Sequence, residues 1–253
     1  MNIEELRESW KKEEQNAKII GWDFSYIENR FDSEEDKLPW DYKEAINRYR
    51  HDTDKLLDID TGGGEFLLSL GHPYNNTSAT EGYPPNVELC RHKLAPLGID
   101  FHEVTDYNNL PFSNESFDIV INRHGSFENE ELYRILKPGG VFVTQQVGEK
   151  NDRELVEKLL PGTEISFKEH DLEHCISSLV RAGFSVLERD EAFRPIRFYD
   201  TGALVWFARI IEWEFVDFSV DRCFDRLLAV EEGIRKQGSV SGHTHRFYVV
   251  ARK

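Results

Sequence analysis

One short apolar run that leads into three consecutive glycines constrains the fold of this chain more than any other feature. Residues 56–60 (Leu-Leu-Asp-Ile-Asp) are followed by Gly62, Gly63 and Gly64, and then by apolar residues with helical spacing at 66–68. A strand that enters a helix through such a turn is typical of a parallel βαβ unit. Strand and helix patterns alternate after it, which predicts a Rossmann-like α/β fold: a mostly parallel sheet with helices on both faces.

The hydrophobic patterns predict the individual elements. Seven strands are expected at 56–60, 77–81, 99–104, 117–122, 141–147, 185–191 and 245–251. Helices are expected at 3–17, 42–49, 85–97, 130–136, 152–160 and 171–182. The acidic residues 32–36 predict a solvated loop between the first two helices.

We expect one domain over residues 1–253. Residues 1–54 are polar with scattered aromatics and predict an extension that packs on a core. Residues 55–199 and 242–253 form the predicted core. The segment 200–241 is too long for a plain crossover, and its apolar run predicts a helical insertion.

Composition and charge narrow the cellular context and the partners. The chain has 31 Lys and Arg against 47 Asp and Glu, a net charge of -16, which disfavours binding to duplex nucleic acid. There is no run of eighteen apolar residues and no signal-peptide layout at the first residues, so we expect a cytoplasmic protein without a membrane span. The three cysteines are far apart and predict reduced thiols; they are Cys90, Cys175 and Cys223. The sequence does not define an oligomeric state.

The glycine turn predicts a nucleotide-binding crevice at the carboxyl ends of the strands. Gly62 and Gly64 let the backbone approach a ligand without a Cβ clash. Glu81 ends the second strand, where a carboxylate can accept hydrogen bonds from a ribose diol. The dinucleotide fingerprint G-x-G-x-x-G is broken because Leu67 stands at its last position, which argues against an NAD-type oxidoreductase.

The motif resembles that of the class I S-adenosylmethionine-dependent methyltransferases. Asp58 matches the acidic residue of that motif, and Gly62 and Gly64 match its last two glycines. Asp60 stands where the family has its first glycine, a departure that keeps a non-catalytic cofactor-binding protein open as an alternative. Segments 105–112, 116–120, 136–140 and 247–253 resemble further family segments, the last of them an antiparallel strand.

The resemblance implies S-adenosyl-L-methionine as the cofactor. Glu81 corresponds to the ribose-binding residue and Asp106 to the residue that accepts from the adenine amino group, while Tyr83 and Tyr107 are placed to flank adenine. We expect Glu81→Ala to weaken cofactor binding with little change in the stability of the cofactor-free protein. The implied cofactor-binding residues are Asp58, Asp60, Thr61, Gly62, Gly63, Gly64, Glu81, Gly82, Tyr83, Asp106, Tyr107, Asn122 and Arg123.

The methyl acceptor is expected at residues 122–127, which follow the fourth predicted strand. His124 is the candidate catalytic residue, as a general base or as a clamp on the acceptor, with a packing role as the simpler alternative. Signatures of nucleic-acid methylation are missing from this segment, so we expect a small-molecule acceptor, with an RNA or protein methyltransferase as the alternative. We expect four aromatic residues of the extension and the insertion to form a lid over the acceptor; the alternative is that they pack on the back of the sheet. These residues are Trp22, Phe24, Tyr26 and Trp206.

We expect no metal site. The segment 170–174 reads H-x-x-E-H, a zinc-protease pattern. Asp171 has the residue type and position of a helix N-cap, which would leave His170 outside the helix that contains His174. The two imidazoles would then not share a face.

Overall fold

Eight strands form one sheet in the computed structural model, which describes residues 2–18 and 23–253, the side chains of 35 and 36 excepted. The order across the sheet is β1-β7-β8-β6-β5-β2-β3-β4. Strands β2 to β6 are parallel, whereas β8 is antiparallel to β6 and β7, and β1 is antiparallel to β7. The strands are β1 (Phe31–Ser33), β2 (Leu56–Ile59), β3 (Thr77–Glu81), β4 (Asp100–Glu103), β5 (Phe117–Arg123), β6 (Leu136–Val147), β7 (Ser185–Phe198) and β8 (Val240–Arg252).

Helices cover both faces of the sheet, and several begin at a side chain that caps their free N–H groups. Asn2 and Glu5 form a capping box at α1, and Asp171 and Asp200 cap α7 and α8. The helices are α1 (Ile3–Asn16), α2 (Tyr42–Tyr49), α3 (Glu65–Ser69), α4 (Pro84–Lys93), α5 (Asn129–Ile135), α6 (Arg153–Leu159), α7 (Leu172–Arg181), α8 (Thr201–Ile210) and α9 (Phe224–Gln237). Among the described residues, no helix combines the length and the apolarity that a membrane crossing needs.

This architecture confirms the predicted fold class, with one strand more than expected. The chain leaves β2 for β3 and β4 on one side and returns to β5 and β6 on the other, so the strand order reverses at β2. In open α/β sheets, ligands bind beyond the carboxyl ends of the strands at this reversal point.

The additional strand corrects the prediction for residues 32–36, which are not a solvated loop. Residues 31–33 form β1, and Glu34–Lys37 form a short 3-10 helix. Phe31 stacks on Phe198 of β7 with ring centroids 5.9 Å apart. The Arg197 guanidinium lies 3.2 Å from an Asp32 carboxylate oxygen and 3.1 Å from one of Glu34, so an acidic segment is stabilised at the sheet edge.

The last two strands are longer than predicted. The ladder between β7 and β8 runs from Ser185↔Arg252 to Phe198↔Val240, whereas the pairing of β6 with β8 ends at Val147↔Arg246. Six residue pairs therefore extend past the carboxyl edge of β6. At about 3.4 Å per residue they form a two-stranded ribbon about 20 Å long.

A third hydrophobic core lies at the far end of this ribbon. The first two cores cover the two faces of the sheet, whereas the third unites α1, α6, α8 and α9 with the distal part of β7. We call α1, residues 23–30, α8 and α9 the helical cap. Tyr26 stacks on Trp206 of α8 with centroids 5.5 Å apart, so the extension and the insertion pack together.

Candidate functional site

The turn that joins β2 to α3 has the geometry that the glycines predict. Gly62 and Gly64 have φ values of 64° and 76°, in the left-handed region that side chains disfavour. A Cβ atom on Gly64 would lie 2.8 Å from Cδ2 of Leu94, so a larger residue would displace α4. The turn thus brings bare backbone to the carboxyl end of β2.

Glu81 holds this turn from the end of β3. Its side chain is 5% exposed, and one carboxylate oxygen accepts from the Gly62 N–H at 2.8 Å. The other oxygen accepts from the Gly82 and Tyr83 N–H groups, both at 2.9 Å. The Asn86 side-chain amide also donates to the oxygen that Gly62 contacts, at 3.4 Å, so these four contacts use the roughly four acceptor positions of a carboxylate. The anchoring of both turns is a role that the sequence did not reveal.

Asp60 ties the glycine turn to two other loops. Its backbone φ is 56°, which explains a glycine preference here and which Asp tolerates better than most residues. The carboxylate accepts from the Tyr107 hydroxyl and, at 3.1 Å, from the Ser126 N–H. A Cβ atom on Gly125 would lie 2.5 Å from Cβ of Asp60, so the loop after β5 passes tightly against this side chain.

Burial shifts the pKa values of the two aspartates in the site. The pKa of Asp58, which is 4% exposed, rises to about 7 because of burial, although the Thr61 hydroxyl donates to it at 2.7 Å. The pKa of Asp60 rises to about 6 through burial and the nearby Glu81 charge, against the hydrogen bond from Tyr107. The two carboxyl groups can therefore change their protonation state near neutral pH, whereas the backbone N–H donors of the turns are fixed in place.

Of the predicted cofactor-binding residues after β3, β4 and β5, some lie inside the crevice and others on its rim. Asn122 is fully buried, donates to the Ile59 carbonyl at 3.0 Å and accepts from Gln146 at 2.6 Å, which joins β2, β5 and β6. The Arg123 guanidinium lies 4.4 Å from the centroid of the Phe66 ring. The side chains on the rim are exposed; they are Tyr83 and Asp106.

His124 lies at the end of β5 with a φ of 61°, and its ring is accessible to solvent. The surrounding protein still removes part of the water around the ring. This desolvation holds the pKa of His124 well below 6.5. The positive charges of Arg246 and Arg123 act in the same direction. At neutral pH the imidazole is therefore uncharged.

Three residues near His124 were missed by sequence reasoning. Trp40 donates from Nε1 to Oε1 of Gln145 at 2.7 Å, and Nε2 of Gln145 lies 3.3 Å from Nε2 of His124. Arg246 on β8 is 9% exposed and donates to Oδ1 of Asn151 at 2.6 Å. A usable signal was the pair of glutamines in the otherwise apolar strand 141–147, because a buried polar side chain needs a partner.

Three of the lid candidates, Phe24, Tyr26 and Trp206, lie in the helical cap. Trp206 is 1% exposed, with Phe24 and Tyr26 packed against its ring, so it belongs to the core of the cap. Trp22 lies outside the described residues. Since the ribbon extends past the carboxyl edge, the cap is on the same side of the sheet as the glycine turn.

The histidine pattern at 170–174 has the geometry of a helix cap. Asp171 caps α7 by accepting from the His174 N–H, and His170 precedes the helix. The His174 ring bonds to the same carboxylate at 2.9 Å. Within residues 2–18 and 23–253, no three His, Cys, Asp or Glu side chains gather as metal ligands would.

The reversal of strand order, the glycine turn and the carboxylate at the end of the next strand define a nucleotide-binding α/β protein. Comparison with known families is consistent with this class. Residues 57–144 match the model of the methyltransferase domain. Two solved structures share the fold: a candidate methyltransferase of Bacillus halodurans (19% identity, 84% of this chain, 98% of that chain, TM-score 0.56) and YcgJ of Bacillus subtilis (17%, 84%, 97%, 0.56).

Curated relatives match over the same part of the chain. The phthiotriol/phenolphthiotriol dimycocerosates methyltransferase of Mycobacterium leprae is 37% identical over 96 residues, 34% of this chain and 35% of the relative. The ubiquinone/menaquinone biosynthesis C-methyltransferase UbiE of Desulfotalea psychrophila is 33% identical over 95 residues, 34% and 38% of the two chains. The chain thus spans little more than a third of the length of these relatives. This part of the chain is therefore similar to the class I S-adenosylmethionine-dependent methyltransferases.

Proposed function

We propose that this protein transfers a methyl group from S-adenosyl-L-methionine to a small-molecule acceptor. The observation that carries the proposal is Glu81, whose carboxylate joins the turn after β2 to the turn after β3 at the reversal point of the sheet. The cofactor supplies a methyl group bonded to a positively charged sulfur. After the transfer, this sulfur is part of a neutral thioether. The chain must hold the acceptor close and aligned and exclude water.

The residues of the crevice fit this cofactor. Gly62 and Gly64 hold the turn after β2 in the left-handed region, and their backbone carries no side chain that would block a ligand. Glu81 suits a ribose hydroxyl that replaces the long contact from Asn86, and Asp106 on the rim suits the adenine amino group. Asp60 adds a carboxyl group where the family has glycine, and Tyr107 and Ser126 already donate to it.

The acceptor is proposed to bind between the carboxyl edge of the sheet and the helical cap. The ribbon carries the cap beyond this edge, and His124 lies below it at the end of β5. The charge of -16 supports a small molecule over a nucleic acid. The names of the relatives, which refer to a lipid and to quinone biosynthesis, also favour a small acceptor.

We propose a cytoplasmic location for this activity. All three cysteines are free thiols, two of them buried, as is usual where thiols stay reduced.

Titration calorimetry tests the proposed cofactor. S-adenosylhomocysteine should bind well and NAD poorly; binding of NAD without binding of S-adenosylhomocysteine would contradict the proposal. Gly64→Ala should abolish binding, because both the φ of 76° and the contact with Leu94 oppose it. Gly71→Ala is the matched control: it has a φ of 63° but open space around its Cβ, so it carries the same backbone strain away from the site. A screen of small molecules with labelled S-adenosylmethionine then identifies the acceptor.

A further inference from the structure

The orientation of the Gln145 amide is fixed by Trp40. An indole N–H can only donate a hydrogen bond, so the atom that Trp40 contacts at 2.7 Å must be the oxygen of the amide. Trp40 is itself held in place, because its ring stacks on Tyr248 with centroids 4.9 Å apart. The NH2 group of Gln145 therefore points to the other side, toward His124.

This orientation determines the tautomer of His124. The Gln145 nitrogen lies 3.3 Å from Nε2 of His124, and since the amide nitrogen donates, Nε2 must accept. In the neutral ring the proton is then on Nδ1. Nδ1 makes no hydrogen bond to any part of the chain that the structure describes, and the ring is accessible to solvent.

The groups around the ring favour an anionic or strongly polar oxygen as its partner. Arg123 on β5 and Arg246 on β8 are the charged groups that act on His124, and both are positive. The carboxylate of Asp60, on the turn after β2, is occupied by Tyr107 and Ser126. Desolvation and the two guanidinium groups also keep the imidazole neutral, because a third positive charge is disfavoured.

We propose that His124 donates a hydrogen bond from Nδ1 to an oxygen of the methyl acceptor, and that the acceptor is a molecule with a carbonyl, enolate or phenolate oxygen. This inference rests on the proposed function. Of the two roles that the sequence left open, it selects the clamp, since Nε2 is occupied and Nδ1 already carries a proton. Trp40 and Gln145 are positioning residues.

The transfer balances without any proton moving to or from His124. An electron pair of the acceptor forms the new bond to the methyl carbon, and the pair of the old carbon–sulfur bond stays on sulfur. An acceptor proton, where there is one, goes to solvent. His124 keeps its Nδ1 proton throughout and stabilises the charge on the oxygen.

Nuclear magnetic resonance of protein labelled with 15N-histidine tests the tautomer directly. The His124 signals are identified by their loss in His124→Gly, a change that the φ of 61° tolerates without strain. We expect a protonated Nδ1, a bare Nε2 and an imidazole that is neutral at pH 7. Gln145→Leu and Trp40→Phe should shift the ring toward the Nε2-protonated tautomer, whereas the control Trp213→Phe should not. A protonated Nε2 in the unsubstituted protein, or no response to Gln145→Leu, would overturn the proposal.

A second measurement tests the oxygen. With S-adenosylhomocysteine bound, 4-nitrophenolate should bind, and His124→Gly should weaken it about tenfold, as expected for loss of one hydrogen bond to a charged group. His124→Asn should recover part of the affinity, because Asn tolerates this backbone and restores an N–H donor. Absence of phenolate binding, or equal affinity in His124→Gly, would refute the oxygen contact. If S-adenosylhomocysteine itself does not bind, the proposed function fails while the tautomer result stands.

Discussion

Replacement of Glu81 by glutamine should destabilise the cofactor-free protein. The carboxylate accepts from three backbone N–H groups on two turns. An amide has one oxygen, which can keep the pair from Gly82 and Tyr83 only by turning its NH2 group toward the Gly62 N–H. One buried donor then loses its acceptor, and the other two exchange a charged acceptor for a neutral one.

The magnitude follows from these contacts. A hydrogen bond to a charged group contributes about 1.5–3 kcal/mol and one between neutral groups about 1 kcal/mol, which predicts a loss of about 2.5–7 kcal/mol for Glu81→Gln. The lower end is favoured, because removal of the Glu81 charge relieves repulsion of Asp58 and Asp60, whose pKa values it helps to raise. This differs from the expectation from sequence that changes at Glu81 leave the cofactor-free protein almost unaffected.

Urea unfolding of the cofactor-free protein measures this loss, with the free energy of unfolding extrapolated to water. Glu103→Gln is the matched control: it makes the same charge change at an exposed carboxylate of β4 that pairs with Arg91. That pair is solvent-exposed, so the control should lose less than about 1 kcal/mol. Equal free energies of unfolding for the two variants would refute the anchoring role of Glu81.

Three further outcomes are expected. Burial raises the pKa values of Asp58 and Glu214 to about 7, so the folded state takes up protons there. The free energy of unfolding should therefore increase as the pH falls from about 8 to about 6, and Glu214→Gln should reduce that increase in urea titrations. Asp60→Gly should leave the calorimetric affinity for S-adenosylhomocysteine equal or tighter; a large loss would give Asp60 a direct role. Hydrogen exchange in segments 23–30 and 200–215 should slow when S-adenosylhomocysteine binds, and unchanged exchange would rule out a lid.

The sequence predicted those strands that are buried on both faces. β2 is fully buried and β5 nearly so, and both are read correctly because continuous apolar runs in a βα alternation have few other interpretations. β1 and the distal part of β7 were missed for a common reason. Their charged residues pair with each other across the sheet, as Asp32 and Arg197 do from 165 positions apart. The sequence of either segment alone therefore does not predict a strand.

The candidate site divides in a similar way. The glycine turn and Glu81 are local features, and their spacing follows from the geometry of a βαβ unit. The contacts of Trp40, Gln145 and His124 could not be predicted, because they join three separate segments through the orientation of one amide group. Trp206 was expected to be a lid residue, but its place in the core of the cap depends on packing against Tyr26.

The two-stranded ribbon has a consequence for the range of molecules that this architecture can accommodate. The ribbon acts as a spacer, because the number of residue pairs between β6 and the helical cap determines the distance from the cap to the carboxyl edge of the sheet. Addition or removal of two pairs would change that height by about 7 Å and keep each side chain on its original face, since the pleat repeats every two residues. In the proposed acceptor site, the length of this ribbon would set how large an acceptor fits, independently of the cofactor crevice.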